Sequence, residues 1–520
     1  MTRSLSLTRD RGAPTAPARQ RLTPIEELDY LLDRPDEPNL ILWEIHARGR
    51  LDRAALAKAV TVALGSDSGA GRRLAAGPRW GRRLYWQPIP VPGGAVRGAA
   101  GAVPDLLTVA SWRDLGELEA LRERLFARPI ALEQGVMRVT LAAGPDHDAV
   151  IFQVHHIAFD GIAVLRVLSA ISRAYRDHLG ADPTPWPTVP APRPSPGTPA
   201  SLPGLTPLPG PASPLSPASL SDPGPLPDPG PEGEQCYIAP PPGGAMSHRT
   251  PWHADFGGRP LTRTARRLVT RVRTWPGTVT RIAPRAGDLD RPGYGFVLIS
   301  DSVTRPAARS DGPRPTVNDL LVAALCLTIE RWNADHGRAS GQISVTVPVN
   351  GRVAGPHWEG PGNLSRLIRV VTSPAQRAEP DTLLAAVAAQ TRAAREQGRV
   401  GGTDALSRLL ATAWAPVPVK RRTARLIRGL AAPVITDTSM VSNLGVLADP
   451  PTFNGGGTEH VWMASPCPLP RGLSVGALTI AGRLYLSVRY RLALMDHAAA
   501  EDFTARLRAA IAGLAGPEAP

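Results

Sequence analysis

The strongest constraint on this chain is a long stretch with no means of building a core. From 181 to 249 proline, serine, glycine and leucine follow one another without a hydrophobic period, as in Pro203-Gly204-Leu205-Thr206-Pro207-Leu208-Pro209-Gly210-Pro211. Proline has no amide hydrogen to give to a helix or a sheet, and such a mixture buries too little apolar surface to offset the entropy of ordering it. An extended, partly polyproline-II linker is the expectation. It divides the 520 residues into a disordered tail at 1–20, an N-terminal lobe at 21–180, the linker at 181–249 and a C-terminal lobe at 250–520. Either lobe is long enough for its own core.

Both lobes alternate helical and strand patterns, which predicts an α/β fold. In the first, Thr23 precedes Pro24 and the acids Glu26 and Glu27, a capped helix start with negative charge at the positive end of the dipole. A strand pattern follows at 40–50, a helix at 53–64 led by Asp52, paired strands at 135–142 and 148–154, and helical spacing over 162–175. In the second, Thr316-Val317-Asn318-Asp319 opens a helix through Trp332, followed by a strand at 343–349 and the turn Asn350-Gly351-Arg352. Further on come a helix at 382–397, a basic helical patch at 420–430, and a hairpin over 477–490 turning near Gly482.

The net charge of +14 raises the question of a polyanionic partner. Lys58 and Lys420 are the only lysines, so the excess is arginine, which together with abundant Ala, Gly and Pro reflects a GC-rich coding genome. The densest cluster (Arg263, Arg266, Arg267, Arg271, Arg273, Arg281, Arg285) lacks interleaved aromatics at stacking intervals, and no nucleic-acid-binding motif accompanies it. It reads as a solvated face, or as a site for an acidic carrier protein or CoA phosphates. Cys236, Cys326 and Cys467 are too few and too scattered for a disulfide framework or a metal pair, which fits a cytoplasmic protein. The first twenty residues lack the apolar core of a signal peptide. The most apolar helical stretch, 320–329, is about half of what a bilayer crossing needs, leaving peripheral membrane contact as the membrane option.

The sharpest chemical signal is His155-His156-Ile157-Ala158-Phe159-Asp160-Gly161, directly after the apolar strand 149–154. It places an imidazole at a turn, with a carboxylate close by and a helix following. A structural histidine at a strand end is the plain competing reading. A metal site is disfavoured because neighbouring residues on a strand point to opposite faces.

This His-His-x-x-x-Asp-Gly pattern resembles the signature of the chloramphenicol acetyltransferase-like superfamily. That group includes nonribosomal-peptide condensation domains, polyketide-associated acyltransferases and wax ester synthase/diacylglycerol acyltransferases. Arg21-Leu22-Thr23-Pro24 with Glu26, Thr316-Val317-Asn318-Asp319, Val347-Pro348-Val349-Asn350-Gly351-Arg352, Gly362-Asn363 and Ser442-Asn443-Leu444-Gly445 resemble further family positions. The Asp-Phe-Gly-Trp-Gly segment of many members is absent, and Asp255-Phe256-Gly257-Gly258 lies too early to be it.

The resemblance implies two similar lobes forming a pseudo-dimer around a tunnel. His156, beside His155, would act there as general base on a hydroxyl or amine acceptor attacking a phosphopantetheine thioester, presented as acyl-CoA or on an acyl-carrier protein, with no bound cofactor. Asp160 would hold the loop through an arginine, for which Arg352 is the candidate, and Gly161 would allow close backbone approach. Its N–H, Ser442 or Asn443 would stabilise the oxyanion, and Asn363 would lie near the tunnel; Ser442 and Asn443 read equally well as turn residues. A rival motif, Gly472-Leu473-Ser474-Val475-Gly476, matches a serine-hydrolase elbow but is followed by strand pattern instead of a helix. The alternative function class is a catalytically inactive, condensation-like binding or scaffolding protein.

Overall fold

The computed structural model describes residues 19–65, 69–75, 77–78, 80–89, 106–180, 279–285, 290–302, 315–350, 362–396, 411–453 and 458–515. The expected linker at 181–249, the tail through residue 18, Arg352, Cys236 and the arginines from Arg263 to Arg273 lie outside the described residues.

The first half runs β1 (Gln20–Arg21), α1 (Pro24–Leu32), β2 (Leu40–Ala47), α2 (Arg53–Gly65), β3 (Arg72–Leu74), β4 (Tyr85–Pro88), β5 (Leu107–Ser111), α3 (Leu115–Ala127), β6 (Met137–Ala143), β7 (Asp148–His155) and α4 (Gly161–Leu179). The second runs β8 (Tyr294–Ser302), α5 (Val317–Asp335), β9 (Ile343–Asn350), β10 (Ser365–Thr372), α6 (Pro374–Ala378), α7 (Pro380–Glu396), α8 (Val417–Ile435), β11 (Ser439–Val446), β12 (Thr458–Ala464), β13 (Leu473–Ile480), β14 (Arg483–Arg491) and α9 (His497–Ala515).

Two principal sheets organise these elements. One has the order β12-β2-β7-β6-β5 and the other β10-β9-β11-β13-β14-β8; a small sheet β1-β4-β3 lies beside them. The first sheet buries both faces, and its alternation shows how. Ile41, Trp43 and Ile45 of β2 join Val150, Phe152 and Val154 of β7 in the core under α2 and α4. Leu40 and Leu42, with Ala149 and Ile151, face Leu118, Leu121 and Phe126 of α3. That second face also carries Glu44, which accepts from Arg122 through both oxygens at 2.7 and 2.8 Å and contacts His46 Nε2 at 2.7 Å. Burial alone would push the Glu44 carboxyl up; Arg122 and His46 outweigh it and hold it at about 2.

In the second sheet, α5 is wrapped by apolar neighbours on all sides, every residue from Leu320 to Ile329 being buried. The most apolar helical stretch of the sequence is therefore a core helix; among the described residues no helix is long and apolar enough to cross a membrane. Thr316 and Asp319 cap it reciprocally, as Thr23 and Glu26 cap α1. The hairpin β13–β14 turns through Ala481 at φ 48° and Gly482 at φ 76°, the pair of positive angles that suits the twist of two antiparallel strands. Ser474, the serine of the hydrolase-like motif, lies inside β13, fully buried and donating to Ser465 O at 2.9 Å. It has no elbow geometry.

One connection departs from chain order. β12 belongs to the second half, yet pairs antiparallel with β2 at the edge of the first sheet, Thr458 opposite Ala47 and Ala464 opposite Leu42. The halves also meet where α8 packs on α1. There Lys420 and Glu27, both fully buried, form an ion pair, and the Lys420 ammonium also donates to Arg82 O at 2.9 Å.

Candidate active site

β7 ends at His155, and the chain then turns sharply, Ala158 N donating to His155 O at 2.9 Å. The two histidines part company at this turn. His155 is 2% exposed and sits 3.5 Å from Asp33, so it anchors the strand end. His156 is only partly buried, and its amide donates to Asn39 O at 2.8 Å.

The His156 ring is oriented by its own loop. Nδ1 lies 2.9 Å from Phe159 O. A carbonyl oxygen accepts only, so the neutral imidazole carries its proton on Nδ1, and Nε2 keeps a lone pair. The loop is clamped in turn by the half-buried Arg72, which donates to Ala158 O, approaches Glu26 at 3.5 Å and lies 4.7 Å from the Trp86 ring centre and 5.6 Å from that of Phe159.

Asp160 is the N-cap of α4. One carboxylate oxygen accepts from Ala163 N at 2.9 Å and the other from Leu364 N, in the second half, at 2.8 Å. Both of these contacts are with backbone amides, and Arg352, the arginine expected to hold this carboxylate, lies outside the described residues. Gly161 stands where α4 meets β11: a Cβ there would fall 2.7 Å from Leu444 Cδ2. A methyl here would have to displace the Leu444 side chain, so the glycine permits close approach between the halves.

The second half reaches His156 through Asn363. Its amide nitrogen donates to His156 O at 3.2 Å and to Asp29 Oδ2 at 3.0 Å, and passes 3.3 Å from His156 Nδ1. Burial lifts the Asp29 carboxyl from 3.8 to about 6, against the opposing pull of a charged His156 and the Asn363 amide. Ser442 is 9% exposed on β11, while Asn443 turns its side-chain oxygen onto Gly445 N at 2.9 Å, the behaviour of a turn residue.

His156, Asp160, Gly161 and Asn363 are therefore brought together, and Leu444 places the Ser442-Asn443 strand against the same helix start. Asp29, Asp33, Glu26 and Arg72 were not singled out as site residues. A signal for three of them exists: 26, 29 and 33 fall on one face of α1 and its C-terminal extension, acids repeating where an apolar stripe would be expected. Among the described residues no group of His, Cys, Asp and Glu has the arrangement of a metal site. A cavity of about 230 Å³ opens elsewhere, against α3, lined by Glu119, Arg122, Glu123, Tyr490 and His497 among others, and shares no residue with the His156 loop.

No protein-family profile matches the chain. It is 26% identical over 480 residues to uncharacterized proteins of Mycobacterium tuberculosis strains H37Rv and CDC 1551, covering 89% of this chain and 92% of theirs. Among solved structures it is similar to the first condensation domain of the calcium-dependent antibiotic synthetase (TM-score 0.57, 14% identity, 96% of this chain and 97% of that one). It is also similar to the starter condensation domain of the rhizomide synthetase in complex with C8-CoA (TM-score 0.56, 12% identity, 96% and 95%). A third is the wax ester synthase/diacylglycerol acyltransferase from Marinobacter aquaeolei VT8 (TM-score 0.52, 13% identity, 96% and 100%). The chain has the two-lobed α/β fold of these condensation domains and of the wax ester synthase/diacylglycerol acyltransferase.

Proposed function

We propose that the protein transfers an acyl group from a phosphopantetheine thioester, on CoA or a carrier protein, to a hydroxyl or amine acceptor, with His156 as general base. The observation that carries this reading is the contact between His156 Nδ1 and Phe159 O, which leaves Nε2 as the proton acceptor. A histidine kept for structure alone would be expected to spend both nitrogens within the core, as His46 does on Glu44 and His147.

The acceptor binds in a tunnel between the halves with its O–H or N–H toward Nε2. As its oxygen or nitrogen bonds to the thioester carbonyl carbon, the proton passes to Nε2 and the carbonyl π electrons move to oxygen. Ser442 and the N–H of Gly161 are the candidate donors to that oxyanion. Collapse breaks the carbon–sulfur bond, and the departing thiolate takes the proton back from the imidazolium. The negative charge of Asp29, held beside the ring through Asn363, supports the imidazolium while it lasts. Holding both partners against one base supplies much of the rate. The fold of structures that include a C8-CoA complex supports the choice of donor.

The test is thiol release from acyl-CoAs of graded length, offered with alcohol and amine acceptors, by the full chain and by His156→Ala. Loss of a positioned base should slow transfer by about 10²–10⁴-fold. Equal turnover by the variant removes the base assignment, and absence of turnover with every donor and acceptor favours a binding or scaffolding role.

A further inference from the structure

Ten large hydrophobic side chains are exposed among the described residues, and six of them, Trp80, Trp414, Val419, Leu426, Ile427 and Leu469, gather around α8. The grouping follows from contacts. Gly81 O accepts from Val417 N at 2.8 Å and Arg82 reaches Ala413 O at 3.4 Å, which sets Trp80 and Trp414 together at the start of the helix. Arg428, three turns on, donates to Leu469 O at 3.1 Å.

α8 has two faces with different occupants. Val417, Lys420, Arg421, Ala424 and Arg428 turn inward, toward α1 and the chain around it. Val419, Arg422 and Leu426 follow at spacings of three and four on the opposite side, and Leu426 is 63% exposed. Trp80 and Trp414 are 63% and 48% exposed, so large apolar area stands in solvent in one place, not as scattered single residues.

The charge around this area has one sign. Residues 77–89 and 411–435 contain no acid, and Arg82, Arg83, Arg422 and Arg425 are exposed within them. Tryptophans at the rim of an apolar helix face, flanked by arginines, match the layered chemistry of a lipid–water boundary. Indole rings settle at headgroup depth, leucine enters the acyl region, and arginine stems lie along the boundary with their charge at the phosphates. An acidic protein partner would use the arginines but has less need of Leu426 and two tryptophans from separate segments.

We propose that this face, formed by α8 with the loops of Trp80 and Trp414, docks on a bilayer containing anionic lipids. The docking does not depend on the role of His156. It would, however, bring the bilayer against α8, whose other face lies on the helix that carries Asp29, so apolar substrates would have a short way to travel.

The test is flotation of the full chain with vesicles of phosphatidylcholine alone and of phosphatidylcholine mixed with phosphatidylglycerol. The protein should float with the mixed vesicles, more weakly with the neutral ones, and less as salt is raised. Arg422→Ala should lower partitioning about fivefold, and Leu426→Asp by tenfold or more on an order-of-magnitude reckoning. Both positions are exposed, so the melting temperatures of these variants should stay near that of the parent, which separates lost docking from lost folding. Absence of flotation with anionic vesicles overturns the proposal, as does unchanged partitioning of Leu426→Asp. Binding of an acidic carrier protein by the same face, without vesicle binding, overturns it in favour of a protein partner.

Discussion

Asp29→Asn should make the protein more stable at neutral pH and less active. The carboxyl has a pKa raised by burial from 3.8 to about 6. A shift of about two units corresponds to ~3 kcal/mol at most. Because Asp29 is only partly buried, solvent screening brings this to ~1–2 kcal/mol. The sign follows from where the proton sits. Below about pH 4 both folded and unfolded chains hold it, and the group costs nothing. Between about pH 4 and 6 the unfolded chain ionises first, so stability falls as pH rises; above 6 the penalty is constant. Asparagine has no such titration, and its side-chain oxygen still accepts from Asn363. Urea unfolding of both proteins at pH 4, 6 and 8, followed by two spectroscopic probes, should show matching midpoints at the acid end and a gap of ~1–2 kcal/mol in favour of the variant at pH 8. Transfer should meanwhile drop roughly tenfold, since the imidazolium loses its negative neighbour. A variant that is less stable at pH 8, or a gap that does not change with pH, would refute the reasoning.

Two further substitutions probe the seam between the halves. Lys420→Met leaves Glu27 buried without its cation and should cost ~3–5 kcal/mol, whereas Lys420→Met combined with Glu27→Leu should recover most of it; chemical denaturation of the single and double variants reads the difference. Gly161→Ala drives a methyl into Leu444 and should cost ~1–3 kcal/mol, with Leu444→Ala in the same chain relieving part of the loss in thermal melts.

What could be read from the residues alone follows the range of the interactions concerned. The caps at Thr23 and Thr316 and the turn at Ala481-Gly482 are local, written in residues at most a few positions apart, and they stand where the pattern put them. The histidine motif was legible for the same reason. Asn363 was reached only through resemblance, because its contact with His156 joins residues 207 apart. The acids of α1 were legible only in part: Glu26 and Glu27 stand in the first turn, with Glu26 closing the capping box, but they are also buried against Arg72 and Lys420. Helix-dipole reasoning sees only the helix. The pairing of β12 with β2 was illegible outright, since alternation shows that a strand has a buried face but not which strand lies beside it.

That last pairing bears on how the molecule is made. The edge of the first sheet is finished by a strand translated about four hundred residues after β2, once the proline-rich stretch and β8 to β11 have emerged. Until then β2 presents an unpaired row of backbone donors and acceptors, the kind of edge on which chains stick to one another. Cutting the gene within 181–249 would not yield two tidy pieces; the front piece would carry that open edge, and supplying the back piece during expression should restore its solubility.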